Sequence, residues 1–292
     1  MALAEQQQTK SAPPNPWSKI WPELKRLPWP AVIILCGFIF IAFAARWISA
    51  YPPNEMNLLL RFQGPDFPAH PLGTDNLGRD VLTRLFFGAR TSLIVASVAL
   101  LLGGTVGLSI GIASGYFGGK VDAVLMRLTD CFIALPGLLI ALVFVITVGP
   151  GLKTLVMAIS ITIWSGFTRI IRSEVLSLKR RDYVLQAKVA GCSDLRIMIV
   201  HILPNVLNTF IVLVSLRVSG VILTESTLSF LGAGIPPPTA TWGNMIADGR
   251  NYITSAWWLT VFPGIAITLV VFSLNIFGDW IRDRLDPKLR QL

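Results

Sequence analysis

Asp182-Tyr183-Val184-Leu185-Gln186-Ala187-Lys188-Val189-Ala190-Gly191-Cys192-Ser193-Asp194-Leu195-Arg196, running on through Ile197 to His201-Ile202-Leu203-Pro204-Asn205, is a polar, basic stretch between apolar runs long enough to cross a bilayer. With Lys179, Arg180 and Arg181 just before it and Lys188 and Arg196 inside it, the stretch must lie outside the hydrocarbon. The flanking runs are therefore separate membrane helices, and the stretch is a helical insert between them. On charge alone it reads equally well as a loop that only sets topology.

Working outward, the whole composition agrees with a membrane setting. Of 292 residues, 53% are hydrophobic and only 14% charged, too apolar and too poor in charge for a soluble globular chain. The net charge of +9 sits in short clusters beside apolar runs, which fits contact with an anionic leaflet and not a nucleic-acid face. Cys36, Cys131 and Cys192 form no C-x-x-C pair and are expected as free thiols. His70 and His201 stand apart without ligand partners at metal spacing, so no metal site is expected. The nearest approach to a nucleotide-binding loop, Gly118-Gly119-Lys120, is followed by Val121, so any ATP would be bound by another chain.

Six spans are predicted. Residues 1–29 read as a polar, proline-rich tail, and the first span runs from about Ala31 to Ser49, too long for a signal-peptide core. Prolines then break hydrophobicity until Leu77–Arg90, where Val81, Leu82, Leu85 and Phe86 recur at helical spacing, as in an interfacial amphipathic helix closing a segment of residues 30–91. The second span, Ser92 to Phe117, carries Gly103, Gly107, Gly111 and Gly115, with Gly119 beyond. Glycine at every fourth position makes one groove for close approach of a neighbouring helix. The third span covers about Cys131 to Val148 with a kink at Pro136-Gly137, and the fourth about Leu152 to Ile171. The fifth, about Val206 to Leu231, holds Arg217 and Glu225, both costly at membrane depth. They stand about 80° apart around a helix, so each is a candidate for a pathway or a subunit interface and not for mutual pairing. Trp257-Trp258 read as an aromatic belt before the sixth span, which reaches about Phe277; a basic tail, residues 281–292, ends the chain. Between Arg169 and Arg196 lie seven Lys/Arg, against one in the 232–256 loop, so the insert and both termini are expected to be cytoplasmic.

Within the insert, Ala187-Lys188-Val189-Ala190-Gly191 followed nine residues later by His201-Ile202-Leu203-Pro204 resembles the E-A-A-x-x-x-G-x9-I-x-L-P signature of importer permeases of the ATP-binding cassette class, with Leu185, Gln186 and His201 departing from it. His70 to Leu82, Leu228 to Pro238, Trp242 to Met245 and Gly278 to Pro287 are similar to landmarks of the C-type permeases of dipeptide and oligopeptide importers. The resemblance implies the six-helix fold of type I importer permeases, an all-α polytopic protein in a bacterial inner membrane, with a five-helix core over residues 92–280. It places the helix up to Arg90 on the outer side, against the local count of Arg79, Arg84 and Arg90. It further implies a non-catalytic subunit that pairs with a second permease and two ATPases carrying ATP and Mg, and that receives solute from an extracytoplasmic binding protein. The cargo would be a dipeptide or oligopeptide, or, among relatives, glutathione or a nickel chelate; a stand-alone secondary transporter is the alternative from another class.

In that reading the loop over residues 172–205 couples to the ATPase. Tyr183 is expected to anchor its apolar side, Ala187 to allow close approach, and Lys188 and Arg196 to meet acidic groups. Gly191 supplies the break between two short helices, joined through Ser193, and Pro204 ends the second.

Overall fold

The computed structural model describes residues 27–285, so the tail predicted before residue 27 and the last seven residues lie outside the described part. Ten helices follow in order: α1 (Trp29–Ile48), α2 (Val81–Phe117), α3 (Gly119–Ala134), α4 (Gly137–Val148), α5 (Leu152–Leu178), α6 (Asp182–Val189), α7 (Asp194–Arg196), α8 (Leu203–Phe230), α9 (Trp242–Gly249) and α10 (Trp258–Leu285). A six-residue π-helical turn, Ile197–Ile202, joins α7 to α8. No strand occurs among the described residues beyond two isolated bridges.

Five helical stretches are long and apolar enough to cross a membrane: α1, α2, α5, Asp194–Phe230 including α8, and α10. The sixth span is the α3–α4 pair, which passes the same test jointly but bends by 88° at Leu135-Pro136. Proline removes a backbone donor and disfavours a helical residue before it, which is why Leu135 is extended there. The sequence predicted a third span starting only at about Cys131, with a kink inside it. Instead helix begins at Gly119, and the break is a corner, not a kink.

The core is built on α2 against α5. Built onto Gly103, a β-carbon would lie 2.5 Å from Ile163 Cγ1; onto Gly107, 2.5 Å from the Trp164 carbonyl oxygen; onto Gly111, 2.8 Å from Ile171 Cβ; onto Gly115, 2.7 Å from Val175 Cβ. Each step of four along α2 meets a step of four along α5, so the two helices run parallel in fixed register. Absence of a Cβ lets Thr168 Oγ1 reach the Gly107 carbonyl at 3.3 Å, and Ser160 Oγ reaches that of Ala99 at 3.3 Å. The predicted groove is thus filled by a neighbour of the same chain.

α2 differs from expectation at its other end. It is one helix of 37 residues, and the predicted interfacial segment is its first turns, started by Asp80, whose side chain accepts from Thr83 N at 2.7 Å. Arg79 and Arg84, each 3% exposed, are folded inward on Asp75: Arg79 Nε lies 2.6 Å and Arg84 Nε 3.6 Å from its Oδ2. Paired inside the protein, they no longer bear on the positive-inside count. Trp258 is also not a belt residue. It is buried and donates from Nε1 to the Thr74 carbonyl at 3.2 Å, while Trp257 remains exposed.

Gly107→Val forces the α2–α5 seam apart, whereas Gly264→Ala in α10, which meets nothing within 4 Å, does not. In detergent, Gly107→Val is expected to lower the melting temperature by several degrees, about 1–3 kcal/mol of strain, and Gly264→Ala to leave it unchanged.

Candidate functional site

The insert is built by two chain signals. α6 begins after extended Arg181 with Asp182 in its first turn and ends with Lys188 in its last, charges that suit the helix dipole at each end. Gly191, at φ +78°, terminates it: Gly191 N donates to Lys188 O at 3.1 Å and Cys192 N to Ala187 O at 3.1 Å, the paired bonds of a Schellman cap. Ser193 then caps α7, accepting from Arg196 N at 3.4 Å.

Beyond α7 the expectation for Pro204 is corrected. Pro204 does not end a short helix; it lies in the first turn of α8, in a helical run unbroken from Asp194 to Phe230. The π turn before it makes this possible, because Leu203 N already donates one residue further back, to Met198 O, and the donor that proline lacks falls in the widened turn.

The insert is held to the bundle by an apolar cluster and a polar clamp. Val184, Ile197, Ile202 and Val206 are buried against Ile112, Tyr116, Ile171, Val175 and Leu178. The anchor on α6 is Val184, 3% exposed, and not Tyr183, which is 39% exposed. Tyr116 near the end of α2 donates from its hydroxyl to Asp194 Oδ1 at 2.5 Å. Lys179, at the end of α5, donates to the Tyr116 carbonyl and lies 5.4 Å from its ring centroid. Nearby, Arg172 and Asp122 pair at 2.5 Å, joining α5 to α3. The ends of α2, α3 and α5 and the insert thus form one fastened unit. Sequence reasoning missed this clamp; Tyr116 and Asp194 lie 78 residues apart, and only folding brings them together.

Opposite the anchored side, the insert is open. Asp182, Leu185, Gln186, Val189 and Ala190 line a shallow recess of about 410 Å³ along one face of α6. Leu185 is 49%, Val189 90% and Leu195 63% exposed, and Lys188 and Arg196 are exposed beside them. An apolar ridge ringed by cations, on a fastened element outside the spans, is suited to a protein partner.

At the far end of α2, roughly 55 Å away at ~1.5 Å per residue, a second feature gathers. A cleft of about 570 Å³ is lined by the 229–237 turn, Asn76, Asn244, Asp248, Arg250 and Tyr252, among others. Asp248 Oδ2 lies 3.8 Å from Arg79 Nη2; burial pushes the Asp248 carboxyl above its ordinary range, against the pull of Arg79 and Arg84. Asn76 has a buried Oδ1 without a hydrogen-bond partner. Below the cleft, Glu225 is fully buried and accepts from Ser229 at 2.9 Å, Ser92 at 3.1 Å and Ser226 at 3.3 Å. Glu225 is therefore neither on a subunit surface nor on an open pathway, as the sequence suggested; its own chain satisfies it. Arg217, eight residues earlier, is exposed. Among the described residues no group of His, Cys, Asp and Glu could hold a metal.

Residues 107–291, which include most of the seam, the insert and the cleft, match the family described as the inner-membrane component of binding-protein-dependent transport systems. The chain belongs to this family of transport permeases. It is 41% identical over 259 residues to a putative peptide transport system permease protein of Brucella suis, covering 89% of this chain and 87% of the relative. To the dipeptide transport system permease protein of Haemophilus influenzae it is 38% identical over 288 residues, covering 96% and 97%. To the oligopeptide transport system permease protein of Bacillus subtilis it is 38% identical over 266 residues, covering 91% and 87%.

Loss of the Tyr116–Asp194 bond frees the insert locally. In Tyr116→Phe, limited trypsin cleavage at Arg180, Arg181 and Lys188 is expected to accelerate about fivefold, from ~1 kcal/mol of lost local protection, while cleavage elsewhere is unchanged.

Proposed function

We propose that this permease is one half of the membrane pathway of an ATP-driven peptide importer. A second permease completes the pathway, two ATPase subunits drive it from the cytoplasm, and an extracytoplasmic binding protein delivers dipeptides or oligopeptides to the end that bears the cleft. In this arrangement the insert and both termini face the cytoplasm, and ATP and Mg stay on the ATPases. The seven Lys/Arg between Arg169 and Arg196 support that orientation, and the relatives named as peptide permeases support the cargo.

The observation that carries the reading is the insert itself, an exposed apolar ridge on an element fastened to the ends of α2 and α5. ATPase subunits that close on ATP would push the ridge of α6, and the clamp at Tyr116–Asp194 and Lys179 would pass that displacement to the α2–α5 pair. A flexible loop would absorb the displacement instead. Leu185 and Gln186, two of the departures from the importer signature, both lie in the docking recess, so the contact at those positions is apolar and amide-like, beside the carboxylate of Asp182.

The test uses the assembled transporter in vesicles. Loaded binding protein is expected to stimulate ATP hydrolysis, and Val189→Glu to reduce that stimulation about tenfold by placing a buried charge in the docked ridge. Gly191→Val, which forces a β-branched residue to φ +78°, is expected to act in the same direction. Full stimulation in both variants contradicts the coupling role, and hydrolysis indifferent to peptide-loaded binding protein contradicts the peptide cargo.

A further inference from the structure

Arg217 stands near the middle of α8, fourteen residues after Leu203 and thirteen before Phe230, roughly 20 Å from either end at ~1.5 Å per residue. A side chain cannot snorkel to the headgroups over that distance. Nor does Arg217 find an anion: among the described residues it takes part in no ion pair and donates no hydrogen bond. Its guanidinium is nevertheless placed. It lies over Gly166 of α5, where a β-carbon would come 2.9 Å from Nη2, so the missing side chain at 166 makes its seat.

What surrounds that seat distinguishes it from a lipid face. Exposed stretches elsewhere on the spans are dominated by large apolar side chains and carry no charge at mid-helix, as with Ile33, Phe40 and Phe43 on α1 or Ile265, Leu269 and Phe272 on α10. Arg217 instead places a charge at mid-helix, beside charged groups of α5 and α3. One turn from Gly166, Arg169 pairs with Asp130 of α3 at 2.6 Å, with the two side chains 53% and 55% exposed. The pair carries this polar face on toward the insert end of α5. Along α8 the same stripe rises through Gly220, where an added β-carbon would meet nothing within 4 Å, and half-exposed Thr224 to Leu231, which lines the cleft. Positions 217, 224 and 231 are seven residues apart and so share one helix face. Asp130 is taken by Arg169 and Asp122 by Arg172, so neither carboxylate serves Arg217.

We propose that this stripe is part of the chain's wall of the solute path and that Arg217 is a binding residue there, taking a carboxylate of the passing solute. A guanidinium offers paired donors that match a carboxylate, and free peptides carry one at their C-terminus. The proposal rests on the permease reading for the existence of a path, but not on peptides as the cargo; any carboxylate-bearing solute meets the same site.

The experiment uses the complete transporter in vesicles with its binding protein. Arg217→Gln is expected to lower peptide uptake at least about tenfold, as loss of a charged hydrogen bond implies, while ATP hydrolysis stimulated by loaded binding protein persists. Arg217→Lys keeps most of the uptake. In a background with Cys36, Cys131 and Cys192 replaced by serine, Arg217→Cys is expected to react with small water-soluble methanethiosulfonates during turnover. The aminoethyl reagent restores uptake, and the sulfonatoethyl reagent does not. An unreactive thiol, showing the position covered by a partner subunit or lipid, overturns the proposal, as does wild-type uptake by Arg217→Gln, loss of assembly in that variant, or equal rescue by both reagents. If the wild-type transporter moves no peptide yet Arg217→Gln still fails with another carboxylate solute, the cargo reading falls and this one stands.

Discussion

Everything in the fold depends on the approach of α2 to α5. Four glycines let the two backbones meet without side chains between them, and each glycine is matched by a residue pair four positions further along α5 than the last. In a bilayer no hydrophobic force draws two apolar helices together, so close packing and the hydroxyl bonds from Ser160 and Thr168 must hold them. That register is stepwise. A slide of one position would put Leu102, Val106 and Ile110 where glycines now meet α5, so the pair resists sliding and behaves as a beam.

The beam makes the two ends of the molecule meaningful. One end carries the insert, whose α6 is terminated by a glycine cap and whose α7 is tied to Tyr116. At the other end Asp75 holds two buried arginines, and the 229–237 turn and α9 frame a cleft. Buried ion pairs are weak evidence of stability, because desolvation offsets their attraction, but removing Asp75 would leave Arg79 only its longer contact to Asp248 and Arg84 only the Pro53 carbonyl. The cluster reads as a device that fixes the entry of α2 into the membrane. A broken α3–α4 span, bent at Pro136, lies beside this beam through the Arg172–Asp122 and Arg169–Asp130 pairs.

Much of this was legible in the sequence because it is written in local spacing. The glycine period named the packing face of α2, hydrophobic length named the spans, and Gly191 with its flanking charges named the limits of α6. What stayed hidden depends on distant partners. Arg79 and Arg84 read as topogenic charges because their carboxylates at Asp75 and Asp248 could not be assigned to them, and Glu225 read as an interface residue because serines on α2 and α8 supply its donors. Trp258 read as a belt residue because its bond to the Thr74 carbonyl spans 184 positions. Pro204 misled for the opposite reason. Its local rule is sound, but the π turn at Ile197–Ile202 absorbs the missing donor and lets the helix continue.

The central claim is that the insert and the α2–α5 pair move as one body. Spin labels at Val189 on the insert and Leu101 on α2, both exposed, report it directly by the distance between them within one chain. In the assembled transporter that distance distribution is predicted to be the same without nucleotide and with ATP trapped on the ATPases. A shifted or broadened distribution on ATP binding would mean that the insert swings on its own, and would contradict the account.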